Sequence, residues 1–180
     1  MTNKLVHEEQ TETLLALVHE YFSVFIEWSF HNNLGQDAPF LGNFHIEAIA
    51  HALEQCFIGA CHRLLIIVPP RYLKSFCTTT CFPAWLLGRD PTKKIMCVSY
   101  GDKPTVEFAT GTRNLMMAPD YQLAFPDTRF ADNSPIDMLR TTAGGHRMAT
   151  SVSGAATGFG CDFLIVDDLT KAGSPPMTWP

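Results

Sequence analysis

No C-x-x-C pair occurs in this chain, and its histidines complete no zinc-ligand spacing with the cysteines, which excludes a structural zinc module. No apolar run approaches the roughly 18 residues that a membrane-spanning helix needs. Met1 to Gln10 is polar and lacks the apolar core of a secretory signal. Basic charge is scarce: 13 Lys and Arg stand against 18 Asp and Glu, for a net charge of −5 and a pI near 5.7. That balance excludes a domain that coats nucleic acid by charge alone, though not a motor that touches DNA through a few local residues. Internal repeats and low-complexity segments are absent as well.

What is present is mostly apolar. Hydrophobic residues fill 46% of the 180 positions and charged residues only 17%, enough to bury the core of one globular α/β domain and too little polarity for wholesale disorder. The six cysteines, Cys56, Cys61, Cys77, Cys81, Cys97 and Cys161, read as buried free thiols of a reducing cytoplasm. A soluble, intracellular protein is expected.

Residues 11–30 predict a helix, because Leu14, Leu17, Val18, Tyr21, Phe25 and Trp28 recur at three- and four-residue steps. Asn, Gly and Pro break the pattern over residues 31–39. A second helix is expected from Phe44 to Ile58, with Ile46, Ile49, Ala50, Leu53 and Phe57 on one side and Gly59 at its end. Leu64 to Val68 predicts a fully buried strand. The loop Pro69 to Leu73 then leads into a helix from Lys74 to Leu87. Lys94 to Ser99 predicts another strand, Thr105 to Met116 a helix, and the sequence up to Asp137 is loop-rich. Residues 146–152 alternate weakly, and a Gly-rich stretch, Gly154 to Gly160, precedes the buried strand Phe163 to Val166. Strands alternating with helices imply an α/β fold with a mainly parallel central sheet flanked by helices.

Strand, loop, then Lys74-Ser75 opening a helix is the layout of a phosphate-binding loop. Loop amides and the helix N-terminus point at the phosphates. A lysine at the helix start reaches the β- and γ-phosphates, and the adjacent serine hydroxyl holds Mg2+. Arg71 could offset charge at the γ-phosphate. Val68 and Leu73 occupy the two glycine positions of the common form, and Leu73 matters more because that glycine lets the backbone bend. Taken alone, Lys74-Ser75 also fits an ordinary strand-to-helix turn with a solvated lysine. Phe163 to Val166 followed by Asp167-Asp168 has the form of a Walker B strand, in which a buried strand delivers a carboxylate to Mg2+ and the second acid polarises the attacking water. Paired carboxylates repel unless a cation is near, so the pair favours a metal or a basic partner over a capped turn.

Together these residues resemble the large terminase subunits of tailed phages and prophages, over roughly Phe44 to Lys171. The motifs are Pro69-Pro70-Arg71-Tyr72-Leu73-Lys74-Ser75, the stretch from Phe82 to Pro91, Val98-Ser99-Tyr100, and Gly144-Gly145 through Gly154, Thr157, Gly158 and Gly160 to Asp167-Asp168-Leu169-Thr170-Lys171. The resemblance implies an ASCE-type P-loop NTPase that couples ATP hydrolysis to translocation of double-stranded DNA into procapsids. Its partners would be a portal protein, a small terminase subunit and other copies in a homo-oligomeric ring, in the cytoplasm of a bacterial host and transiently on the procapsid. Carried over by position, Pro70, Arg71, Tyr72, Leu73, Lys74 and Ser75 bind ATP, and Ser75 and Asp167 hold Mg2+. Arg71 and Asp168 are the catalytic pair, and Phe44 and His45 border the adenine site.

Phe159 stands where many relatives carry Arg, and Leu73 where they carry Gly. The resemblance divides the chain into an N-terminal helical segment (1–42), an incomplete ATPase domain (43–171) and an atypical Pro-rich tail (172–180), with no nuclease domain. The ending suggests a premature stop in a decaying prophage gene. The alternative is therefore an inactive remnant without ATPase activity; a helicase-like translocase is the weaker third reading. Elsewhere, His146-Arg147 and Lys93-Lys94 are expected to be solvated, and Met116-Met117 to be core.

Overall fold

The computed structural model describes residues 2–33, 39–152, 154 and 158–169. Residues 34–38, Thr157, Thr170, Lys171 and the Pro-rich tail lie outside the described residues. Among the described residues four strands form one sheet: β1 (Lys94–Ser99), β2 (Met138–Arg140), β3 (His146–Ser151) and β4 (Phe163–Asp167), in the order β2-β3-β1-β4. Strand β1 runs parallel to both β3 and β4, while β2 is antiparallel to β3, so the sheet is mixed but mostly parallel. Ile95, Met96 and Cys97 are consecutive and all buried, as expected for a strand covered on both faces.

The described helices are α1 (Thr2–Glu20), α2 (Phe22–Asn33), α3 (Phe44–Phe57), α4 (Phe82–Arg89), α5 (Asp102–Met117) and α6 (Pro119–Ala124), with a π-helical turn at Phe76–Cys81 before α4. Among the described residues no helix is long and apolar enough to cross a membrane. In α3 the buried residues Ile46, Ile49, Ala50 and Leu53 lie at the spacing of one helix face. They join Phe22, Phe25 and Ile26 of α2 and Trp85, Leu86 and Leu87 of α4 in one core. Gly88 of α4 faces the Phe125 ring, where an added Cβ would meet ring carbons at 2.5–2.7 Å. Gly88→Ala is expected to cost about 1–3 kcal/mol through overpacking, seen as a lower urea midpoint with an unchanged slope.

Several expectations are corrected. The helix of residues 11–30 is split at Tyr21, because partners from other elements take its backbone groups. Glu54 Oε1 accepts the Phe22 N–H at 2.7 Å, and the His19 carbonyl accepts Trp85 Nε1 at 3.1 Å and Arg89 Nη1 at 3.0 Å. Leu64 to Val68 is not a buried strand: Leu65 and Ile67 are 81% and 83% exposed, and no described backbone hydrogen bond ties the segment to β4. Ile66 and Val68 still pack against the core. A cavity of about 460 Å3, lined by Leu64, Leu65 and Ile66 on one side and Asp162 to Asp167 on the other, separates the segment from the β4 edge. The region before Asp137 contains α6, and β2 follows it. Arg147 is fully buried rather than solvated, and Met117 is exposed while Met116 is core. Burial of thiols holds for Cys77, Cys81 and Cys97; Cys56 and Cys61 are half-buried and Cys161 is exposed.

Candidate functional site

Register puts Ser151, Ser99 and Asp167 side by side at the carboxyl end of β3, β1 and β4. Ligands of parallel α/β sheets bind outside that end. Asp167 is 4% exposed, so its carboxylate requires a partner. Lys74, 94 positions before Asp168, supplies it: Nζ lies 2.8 Å from Asp167 Oδ1 and 2.8 Å from Asp168 Oδ1. Burial lowers the pKa of the Lys74 ammonium, but hydrogen bonds and charge from Asp167 and Asp168 together outweigh it, and the net shift is upward. The lysine expected at the loop and the acids expected at the strand end thus form one cluster.

The loop before Lys74 bends through two left-handed residues, Arg71 at φ 69° and Leu73 at φ 57°, with Tyr72 between them outside that region. Alternation of this kind turns successive N–H groups toward one concavity, the backbone nest that binds anions. A leucine held there costs about 1–2 kcal/mol relative to glycine's freedom. Its side chain packs against the core, which offsets part of that cost. Arg71 is exposed. Pro70 offers no N–H donor, so the donors begin at residue 71. Tyr72 meets His45 edge-on, ring centroids 5.2 Å apart, beside Phe44, which is 80% exposed.

Ser75 continues the helical backbone from Lys74 and immediately precedes the π-helical turn. The sequence explains that turn. The Thr78 hydroxyl takes the Lys74 carbonyl at 3.0 Å, and the Phe82 N–H reaches back to Cys77. Pro83 has no N–H to return to the carbonyl of Thr79, four residues earlier. Arg147 fills the gap: its Nη2 donates to the Thr79 carbonyl at 3.3 Å, and the Thr112 hydroxyl donates to Thr80 at 3.2 Å. Among the described residues Arg147 Nε and Nη1 have no hydrogen-bond partner, and burial pulls the guanidinium below its ordinary pKa, with Cys97 opposing. The role of Arg147 under the lysine helix was not legible in its own neighbourhood; Pro83, a proline in a helical pattern, was the available signal. π-helical turns recur at functional sites.

Asp167, Asp168 and the Ser75 hydroxyl are oxygen donors of the kind that bind a hard cation. Asp167 and Asp168 already hold one cation, the Lys74 ammonium, and the Ser75 hydroxyl follows that lysine directly. Among the described residues no group of three or more His, Cys, Asp or Glu side chains converges as a protein-only metal cage. Mg2+ rarely uses one, since it keeps waters and phosphate oxygens as ligands. No protein-family model matches the chain, and no curated protein matches its sequence.

Proposed function

We propose that the chain is the ATP-binding part of a P-loop motor of the phage-terminase large-subunit type, acting on double-stranded DNA. The observation that carries this reading is the meeting of Lys74 with Asp167 and Asp168, after a loop with two residues at positive φ and at the carboxyl end of a mostly parallel sheet. A lysine and two strand-end acids from distant parts of the chain are the parts that phosphoryl transfer requires in one place.

In this reading the N–H groups of residues 71–75 cradle the phosphates of ATP, and Lys74 turns from the carboxylates toward the β- and γ-phosphates. Arg71 offsets charge on the transferred group. Asp168 orients the attacking water and accepts its proton. Ser75 and Asp167 would hold Mg2+, which supplies charge neutralisation at the phosphate oxygens. Tyr72, His45 and Phe44 flank the loop where an adenine ring would lie. Portal protein, small terminase subunit and further copies of the chain are the partners this reading implies.

The inactive remnant is favoured by one specific feature, the left-handed Leu73 in a loop that follows an unpaired Leu64–Val68 segment. Calorimetry with Mg-ATP separates the two. Saturable binding by the parent, lost by at least 100-fold in Lys74→Ala, is the expected result. Leu73→Gly is expected to tighten binding several-fold, since the loop no longer holds a Cβ in the left-handed region. Absence of binding in both the parent and Leu73→Gly, with each shown to be folded, would leave the remnant reading.

A further inference from the structure

Helix α3 ends in a turn that brings Cys61 back to the last helical turn, which holds Cys56. Gly59, at φ 78°, reverses the chain. Its N–H bonds to the Cys56 carbonyl at 3.1 Å, and that of Ala60 to the Gln55 carbonyl at 2.9 Å, the two bonds of a Schellman motif. The Cys61 N–H shares the Gln55 carbonyl at 3.0 Å, which folds residue 61 back onto the last helical turn. The Cys61 thiol donates to the Arg63 carbonyl at 3.5 Å and lies close enough to Cys56 to raise its pKa. Both are half-buried, and both line the cavity that separates Leu64–Ile66 from β4. Lys74 and Asp167 line the same cavity.

We propose that Cys56 and Cys61 form a redox-modification site, closing to a disulfide when a low-molecular-weight disulfide such as oxidised glutathione is present. The bond staples the start of the Leu64–Val68 segment to α3. Burial, with its hydrogen bond to Cys61 second, pushes the Cys56 thiol up to about 11, so it stays protonated at neutral pH and acts as the resolving thiol. Cys61, as thiolate, attacks one sulfur of oxidised glutathione and displaces one glutathione thiolate. Cys56 then loses its proton to water, attacks the Cys61 sulfur and displaces the second. Two protein thiols and one glutathione disulfide become one protein disulfide and two glutathione thiols, the electrons passing from protein to glutathione. The ring is short and partly exposed, the kind of disulfide that thiols readily reduce.

The experiment incubates the full chain with oxidised glutathione, blocks remaining thiols with an alkylating agent and maps the peptides by mass. A glutathione adduct on exposed Cys161 reports that the oxidant acted. The expected result is a Cys56–Cys61 disulfide, reversed by dithiothreitol, with a rise in Tm that is missing in Cys56→Ser. A lasting glutathione adduct on Cys61, pairing of Cys61 with Cys161, or unmodified Cys56 and Cys61 beside a modified Cys161 would each overturn the proposal.

Discussion

Lys74→Met is expected to destabilise the folded chain by about 2–3 kcal/mol at neutral pH, because it leaves the Asp167 carboxylate buried without its cation. Methionine keeps the stem of the side chain, so packing is nearly conserved and the loss is electrostatic. Asp168 is largely exposed and adds little to the total. The pH dependence has a definite sign. The folded-state pKa of Lys74 is raised, so its contribution is fully present below its ordinary value of 10.5 and is lost as pH rises through the higher folded-state value. Urea unfolding of the parent and of Lys74→Met should therefore give midpoints that differ at pH 7 and converge in strongly alkaline buffer. A constant gap across that range would mean that the ammonium is not the source of the stability.

A larger loss, about 3–5 kcal/mol, is expected for Trp85→Ala. The indole is 2% exposed and lies between the rings of Phe22 and Phe57, at centroid distances of 5.3 and 5.1 Å. Its Nε1 donates to the His19 carbonyl at 3.1 Å, and the Arg89 guanidinium sits 5.4 Å from the ring. One side chain thus ties α1, α2 and α3 to α4, the helix that follows the Lys74 loop. Trp85→Phe keeps most of the apolar contact, and Arg89 still serves the His19 carbonyl, so a loss of about 1 kcal/mol is expected. Equal losses for the two variants in denaturant unfolding would show that the hydrogen bond, not the ring volume, matters.

Much of the candidate site was legible because its elements announce themselves locally. The apolar run ending in Asp167-Asp168 and the loop ending in Lys74-Ser75 could be read as a strand end and a helix start before any contact was known. Their meeting was expected from the resemblance, which gives Ser75 and Asp167 one Mg2+; the contacts that make it, β4 lying next to β1 and Lys74 reaching across 94 positions, came from the folded chain. Leu73 was recognised as a departure from glycine; its left-handed backbone and its packing against the core came from the folded chain.

The sequence by itself determined the elements whose pattern is short-range. The apolar face of α3, the doubly covered run of β1 and the strand of β4 follow from periodicity and from where glycine and proline fall. Tertiary structure alone decided three things. Whether Leu64–Val68 pairs depends on its distance from the β4 edge, and there a cavity intervenes. The α1–α2 break depends on Trp85, Arg89 and Glu54 claiming backbone groups from elsewhere in the chain. Burial of Arg147, a residue that composition assigns to solvent, depends on the carbonyl that Pro83 leaves without a donor. In each case the deciding partner lies far away in sequence, and a local pattern carries no record of what a distant backbone group lacks.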